Sequence, residues 1–118
     1  MDTLWMTLIY IAGLAVTIIG LYRSIEAYLY WTRNYHGELI TEGVYSQTRH
    51  PFYSGFIIMA LGISITKPTM ETILLAAISA VGAAIYIQIE EKNLLQKYNK
   101  EYLEYKRKTP WKIIPGIY

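Results

Sequence analysis

Leu39-Ile40-Thr41-Glu42-Gly43-Val44-Tyr45-Ser46-Gln47-Thr48-Arg49-His50-Pro51-Phe52-Tyr53-Ser54-Gly55 is a compact polar and aromatic segment that runs straight into an apolar helix. Pro51 suits the first turn of that helix, where a missing N–H costs nothing, so Arg49 and His50 are held at its N-terminus. An arginine and a histidine at the mouth of a membrane segment are expensive to desolvate, and residues kept there are usually functional. A helix N-terminus also presents free N–H groups and partial positive charge, which suits a carboxylate or phosphate. Arg49 adds a forked donor, His50 a donor whose charge can change, and Tyr53 a hydroxyl one turn in. The segment reads as an anion-recognition end for a charged cofactor or substrate.

Working outward, the chain of 118 residues is 53% hydrophobic, and its apolar residues gather into three blocks. Leu4 to Leu21 and Thr72 to Ile89 carry no charge. Each makes a helix of roughly 27 Å, close to the ~30 Å hydrocarbon core of a bilayer. Phe52 to Thr66 is shorter, about 22 Å as a helix. Lys67-Pro68-Thr69 turns it tightly into the third block, so the two form a hairpin. A cleaved signal peptide over the first block is opposed by Asp2 where a basic region belongs and by the lack of an Ala-x-Ala site. A soluble three-helix core would leave too little polar sequence to cover it. The expected fold is therefore all-α: one integral membrane domain with transmembrane helices at 4–21, 52–66 and 72–89. A loop over 22–51 and a C-terminal helix and tail over 90–118 complete it.

Lysine and arginine placement sets the expected orientation. Arg23, Arg33 and Arg49 lie between the first two spans, seven basic residues from Lys92 to Lys112 follow the third, and Lys67 alone lies on the other side. The loop and the C-terminus are expected in the cytoplasm and the N-terminus outside. A net charge of +2 gives no reason to invoke nucleic acid, and the basic tail suits anionic lipid headgroups. Without cysteine there is no disulfide, thiolate nucleophile or thiolate metal site.

Small residues mark the expected packing faces: Ala12, Gly13, Ala15 and Gly20 in the first span, and Ala76, Ala80 and Ala84 with Ser79, Gly82 and Ala83 in the third. Tyr22 to Tyr35 reads as an interfacial continuation of the first helix, ended by Asn34, His36 and Gly37, with Gly37 at the C′ position. Glu90 to Lys108 reads as a continuation of the third helix into water. Its stripe of Leu94, Leu95, Tyr98, Tyr102 and Tyr105 lies back over the ends of the spans. Thr109-Pro110 stops it, and Trp111 to Tyr118 is apolar enough to tuck beneath.

Glu90 and Glu91 point in different directions on a helix, so they are no acid–base dyad. The hairpin places Phe52 and Ile89 at one membrane edge, and one of the two glutamates then faces the Arg-His-Pro segment. Dinucleotide and P-loop glycine patterns are absent, no serine sits in a nucleophile elbow, and two separated histidines give a weak metal signal.

Leu39-Ile40-Thr41-x-Gly43-Val44-Tyr45, Arg49-His50-Pro51-x-Tyr53-x-Gly55, Glu90-Glu91, Glu101-Tyr102-Leu103-Glu104-Tyr105-Lys106 and Pro115 together resemble the isoprenylcysteine carboxyl methyltransferases. Their superfamily includes phospholipid and small-thiol methyltransferases. The resemblance covers about residues 36 to 115 and implies S-adenosylmethionine as methyl donor. Carried over by position, it implies donor contacts at Glu38, Leu39, Ile40, Tyr45, His50, Pro51, Phe52, Tyr53 and Glu90. The family's carboxylate-binding arginine corresponds to Tyr86 here, with Arg49 or Arg107 as substitutes, and Glu91 is the nearest base for a neutral amine. The implied acceptor is a lipid or small lipophilic molecule, and a homodimer would close a pocket left open by three spans. Two other readings are an NADPH-dependent reductase of the sterol type, which shares an Arg-His-Pro-like segment, and a non-catalytic membrane subunit.

Overall fold

The computed structural model describes residues 2–118, and among these there are helices and irregular chain but no strand. Helix α1 runs Thr3–Asn34, α2 Pro51–Thr66, α3 Met70–Tyr98 and α4 Lys100–Lys108, with a 3-10 turn at Gly43–Ser46. Both α1 and α3 are long and apolar enough to cross a membrane, and α2 is a shorter apolar helix of 16 residues. Their outer faces are bare: Ile18, Ile78 and Val81 each keep more than half their surface exposed. A surface of that kind is stable in lipid, where no water must order around it. The chain is accordingly a membrane protein.

The α1–α2 contact is much the more extensive, and it is built on small residues. Gly20 of α1 lies against the backbone of Gly55 and Met59, and Gly55 lies against Ser24, so closely that a Cβ at either position would collide with main chain. Gly13 meets Thr66 and Gly62 meets Thr17 in the same way. Gly13 and Gly20 thus pack as expected, whereas Ala12 and Ala15 face outward. The hydroxyl of Ser24 donates to the Phe52 carbonyl at 2.9 Å, a polar tie between the two helices.

The α2–α3 hairpin turns at Lys67-Pro68-Thr69 as expected. Thr69 caps α3 through a reciprocal box with Thr72, and Ser64 of α2 donates to the Thr72 carbonyl at 2.8 Å. The inward line of α3 is Ala83, Ile87 and Glu91, buried at a spacing of four. Of the expected stripe, Ala80 is exposed and only Ala76 and Ala84 are partly covered.

Two helix ends differ from the sequence reading. Helix α1 stops at Asn34 with Tyr35 extended as its cap, so Gly37, at φ 89°, takes the positive-φ turn two residues beyond the cap. The expected single helix over 90–108 is broken at Asn99, where the backbone leaves helical values for φ 54° and ψ −122°. The break is needed. A continuous helix would hold residues 91 and 102 roughly 16 Å apart along its axis, yet the Tyr102 hydroxyl donates to Glu91 at 2.8 Å. The break folds α4 back, burying Tyr102 and Tyr105 beneath the membrane-proximal end of α3, while Leu95 of the same stripe stays exposed.

Candidate active site

The Arg-His-Pro segment and the end of α3 meet as the hairpin requires. Arg49 donates through Nε to Glu91 Oε2 at 2.7 Å and through Nη2 to Oε1 at 3.3 Å, while Nη1 reaches the Thr109 carbonyl at 2.9 Å. His50 Nε2 lies 3.0 Å from Glu91 Oε2 and Tyr102 adds the bond already noted. Arg49, His50, Glu91, Tyr102 and Thr109 are all buried. Burial alone would raise the Glu91 carboxyl, but bonds from His50, Arg49 and Tyr102 outweigh it and hold the group well below the ordinary carboxylate range. An ionised carboxylate only accepts, so His50 donates through Nε2. Burial and the Glu91 carboxylate together push the Tyr102 phenol upward.

The C-terminal tail closes the node from below. The Arg49 and His50 backbone N–H groups donate to the carbonyls of Trp111 and Lys112 at 2.8 and 3.0 Å. The anion-binding end foreseen for α2 is therefore narrower, since two of its N–H groups are already used. The N–H groups of Phe52 and Tyr53 have no partner within the described residues.

Above the node lie two adjoining cavities. The first, of about 180 Å³, is lined by Glu38, Leu39 and Ile40 of the loop, by Tyr45 and Arg49, and by Glu90, Lys97 and Tyr98 of α3. Trp31 and Tyr35 form its outer wall, their rings stacked at 4.9 Å. The second, of about 260 Å³, is bounded by Ala27 and Tyr28 of α1 and by the run from His50 to Tyr53. Trp31, Tyr45, Arg49 and Glu90 border both. Glu90 sits 100° around the helix from Glu91, because one residue is that fraction of a 3.6-residue turn. It faces the cavities while Glu91 faces the core. Burial and the neighbouring Glu91 raise its carboxyl against a smaller opposing pull from His50. Burial pushes the Tyr45 phenol up to about 12, with Glu90 adding to it.

The structure thus brings Glu38, Leu39, Ile40, Tyr45, His50, Pro51, Phe52, Tyr53 and Glu90 to the walls of two contiguous cavities. Three residues stand differently from their expected catalytic roles. Arg49 and Glu91 are paired with each other, which takes up the Arg49 fork and leaves the Glu91 oxygens accepting from Arg49, His50 and Tyr102 within the node. Arg107 pairs with Glu104 on the exposed face of α4, away from both cavities. Tyr86, one turn before Glu90, rests its ring 5.6 Å from that of Tyr53 and brings no charge.

Several residues of the site escaped the sequence reading. Trp31 and Tyr35 looked like an interfacial aromatic belt, and their spacing of four on a helix facing the loop was the signal available. Arg23 looked like a topology charge. It donates to Ser54, Gln47 and Thr48 side chains at 2.8, 2.9 and 3.1 Å, pinning the loop to α1. Nothing in its local sequence indicated those partners.

The profile of the family described as phospholipid methyltransferase matches residues 3–101. Protein-S-isoprenylcysteine O-methyltransferase B of Arabidopsis thaliana is 35% identical over 79% of this chain and 48% of its own length. A Delta(14)-sterol reductase of Mus musculus is 32% identical over 69% of this chain and 20% of its own. Methanethiol S-methyltransferase of Crocosphaera subtropica is 29% identical over 78% and 36%. The chain spans about half, or less, of the length of these relatives. With a family match across most of its residues, including the loop and the Glu90-Glu91 end of α3, the chain belongs to the phospholipid methyltransferase family.

Proposed function

We propose that the protein transfers a methyl group from S-adenosylmethionine to a lipid or small lipophilic acceptor at the cytoplasmic face of the membrane. The observation that carries this reading is the pair of adjoining cavities sharing Tyr45, Arg49, Glu90 and Trp31. A bimolecular transfer needs two seats with one common wall, and alignment across it can contribute roughly 7–11 kcal/mol. The donor chemistry fits the first cavity. Glu38 and Glu90 offer carboxylates to cationic groups or ribose hydroxyls, Lys97 at the rim offers a cation to a carboxylate, and Trp31, Tyr35 and Tyr98 offer faces to a purine. When bound, the donor supplies an electrophilic methyl on a sulfonium.

The chain's own residues seat, orient and dry the site. The Glu91 node fixes the Arg49–Tyr53 segment against α3, and Arg23 fixes the preceding loop against α1. The second cavity opens toward the α2–α3 seam, where Phe52 and Tyr53 also line an apolar groove with Phe56 and Gly82. A lipophilic acceptor enters from the bilayer by that side. In this reading α2 is the third span, shortened by its capped ends, and the basic excess around the loop and tail puts the site in the cytoplasm.

Calorimetry on detergent-solubilised protein with S-adenosylmethionine, its demethylated product and NADPH tests the reading. Micromolar binding of the first two without the third is the expected result. Binding of NADPH alone would favour the reductase seen among the relatives. Binding of none would make this a non-catalytic subunit.

A further inference from the structure

The backbone of the tail from Lys112 to Tyr118 is closed on itself. Lys112 and Ile113 donate their N–H groups to the Tyr118 carbonyl, and Ile117 and Tyr118 donate theirs to the Ile114 carbonyl. Pro115 has no N–H to satisfy, and Gly116 turns the chain at φ 81°. Its side chains are nevertheless bare: Ile114, Ile117 and Tyr118 are exposed, Ile117 by 75%. Satisfied backbone beneath uncovered apolar side chains suits a lipid boundary, where a free N–H is costly and an apolar side chain is not.

Position and charge fit the same surroundings. The Trp111 and Lys112 carbonyls accept from the Arg49 and His50 backbone, so the turn is tied to the point where α2 begins. Exposed Tyr22 and Ile25 of α1 lie at that level too, because Ser24 between them in the chain bonds to the Phe52 carbonyl. From Lys106 to Tyr118 the chain carries Lys106, Arg107, Lys108 and Lys112 and no acidic side chain. Arg107 and Lys108 share Glu104, whereas Lys106 and Lys112 form no ion pair among the described residues. The Lys112 ammonium stands 5.5 Å from the centre of the Tyr118 ring, at the edge of the apolar turn. Cations rimming an apolar patch complement anionic headgroups above acyl chains.

We propose that the turn over 112–118 is an interfacial anchor that seats Ile114, Ile117 and Tyr118 in an anionic bilayer surface, and that this contact holds the Arg49–His50 segment in place. The coupling is direct. Thr109, Trp111 and Lys112 supply three carbonyls to Arg49 and His50, so the tail must be ordered for the node to close, and lipid contact offsets the entropy of ordering it. The donor cavity shares Arg49 with that node, which makes donor affinity sensitive to the lipid.

The chain has no cysteine, so Ile117→Cys and Ile114→Cys each carry a unique spin label, with Glu101→Cys on the exposed acidic side of α4 as the aqueous reference. In nanodiscs containing phosphatidylglycerol, labels at 114 and 117 should be reached by oxygen and shielded from a water-soluble nickel chelate, and the label at 101 should show the reverse. Amide exchange at Arg49 and His50 should be slower by about threefold or more in these discs than in pure phosphatidylcholine, an advantage that salt reduces. Ile117→Ser should lose that difference while keeping the wild-type melting temperature in detergent. Nickel access at 117 equal to that at 101 overturns the anchor, as does shielding from both reagents, which would mean that protein covers the turn. Equal exchange in the two lipids, or an unchanged lipid response in Ile117→Ser, overturns the coupling. Donor affinity should follow the exchange result, tighter with phosphatidylglycerol in the wild type alone. That last measurement rests on the methyltransferase reading: a wild type that binds no donor removes that reading, and the label and exchange results still decide the anchor.

Discussion

Glu90 and Glu91 are neighbours in sequence, and their surroundings are opposite. Glu91 lies in a closed node where Arg49, His50 and Tyr102 satisfy its oxygens. Glu90 opens onto two cavities and bonds to nothing in the described chain. The two environments push the carboxyls in opposite directions, Glu91 downward and Glu90 upward. A helix separates them by 100°, enough to place one group in the core and the other in the site. The acidic pair thus splits into one group that closes the core and one that faces the cavities. The node holds together α3, α4, the loop and the tail so that the cavity above it keeps its shape.

The largest effect should come from cutting the node. Arg49→Ala leaves a buried carboxylate short of its main partner and should destabilise the protein by about 3–5 kcal/mol, read as a fall in melting temperature in detergent. Glu90→Gln should leave that temperature nearly unchanged; equal losses from the two variants would erase the distinction between the regions. Acid should act on the node in the same sense. Because Glu91 is depressed in the folded state, its contribution is complete above the unfolded value near 4.3 and is lost as pH falls toward the lower folded value. Melting temperature should drop with acidification below about pH 4 in the wild type, and the drop should be smaller in Glu91→Gln.

Tyr102→Phe removes one charge-assisted bond while keeping the ring, so a loss of about 1.5–3 kcal/mol is expected. It also tests the break at Asn99, since a continuous helix would place residue 102 out of reach and make the change silent. Gly55→Ala should cost about 1–3 kcal/mol, because its new methyl meets Ser24 and the Gly20 carbonyl at the α1–α2 crossing. The same substitution at Gly82, with open space around it, should be tolerated. Lys67→Ala lies at the exposed hairpin turn, at the far end of α2 from the node, and should change neither melting temperature nor donor affinity. A measurable effect there would mean that the two ends of α2 are not independent.

Much was legible without coordinates because it depends on local chemistry. Uncharged runs of 18 residues write out long lipid-facing helices, Pro51 sets the start of α2, and Lys67-Pro68-Thr69 sets the hairpin. The hairpin in turn dictated that the Arg-His-Pro segment meet the Glu90-Glu91 end of α3. What remained hidden were pairings over long separations. Arg23 finds Ser54, Arg49 finds Glu91 and Thr109, and Tyr105 donates to the Tyr45 carbonyl at 2.7 Å. No local pattern encodes such partners.

By itself, then, the sequence determined the helices, their apolar faces and the meeting of basic and acidic ends, since these follow from hydropathy, proline and chain connectivity. Only the tertiary structure decided which glutamate is buried, where the last helix breaks, and which arginine is already spoken for. Those outcomes depend on the rotation of α3 against its neighbours and on the backbone turn at Asn99. A rotation of one residue exchanges core for cavity, and periodicity alone cannot set that phase.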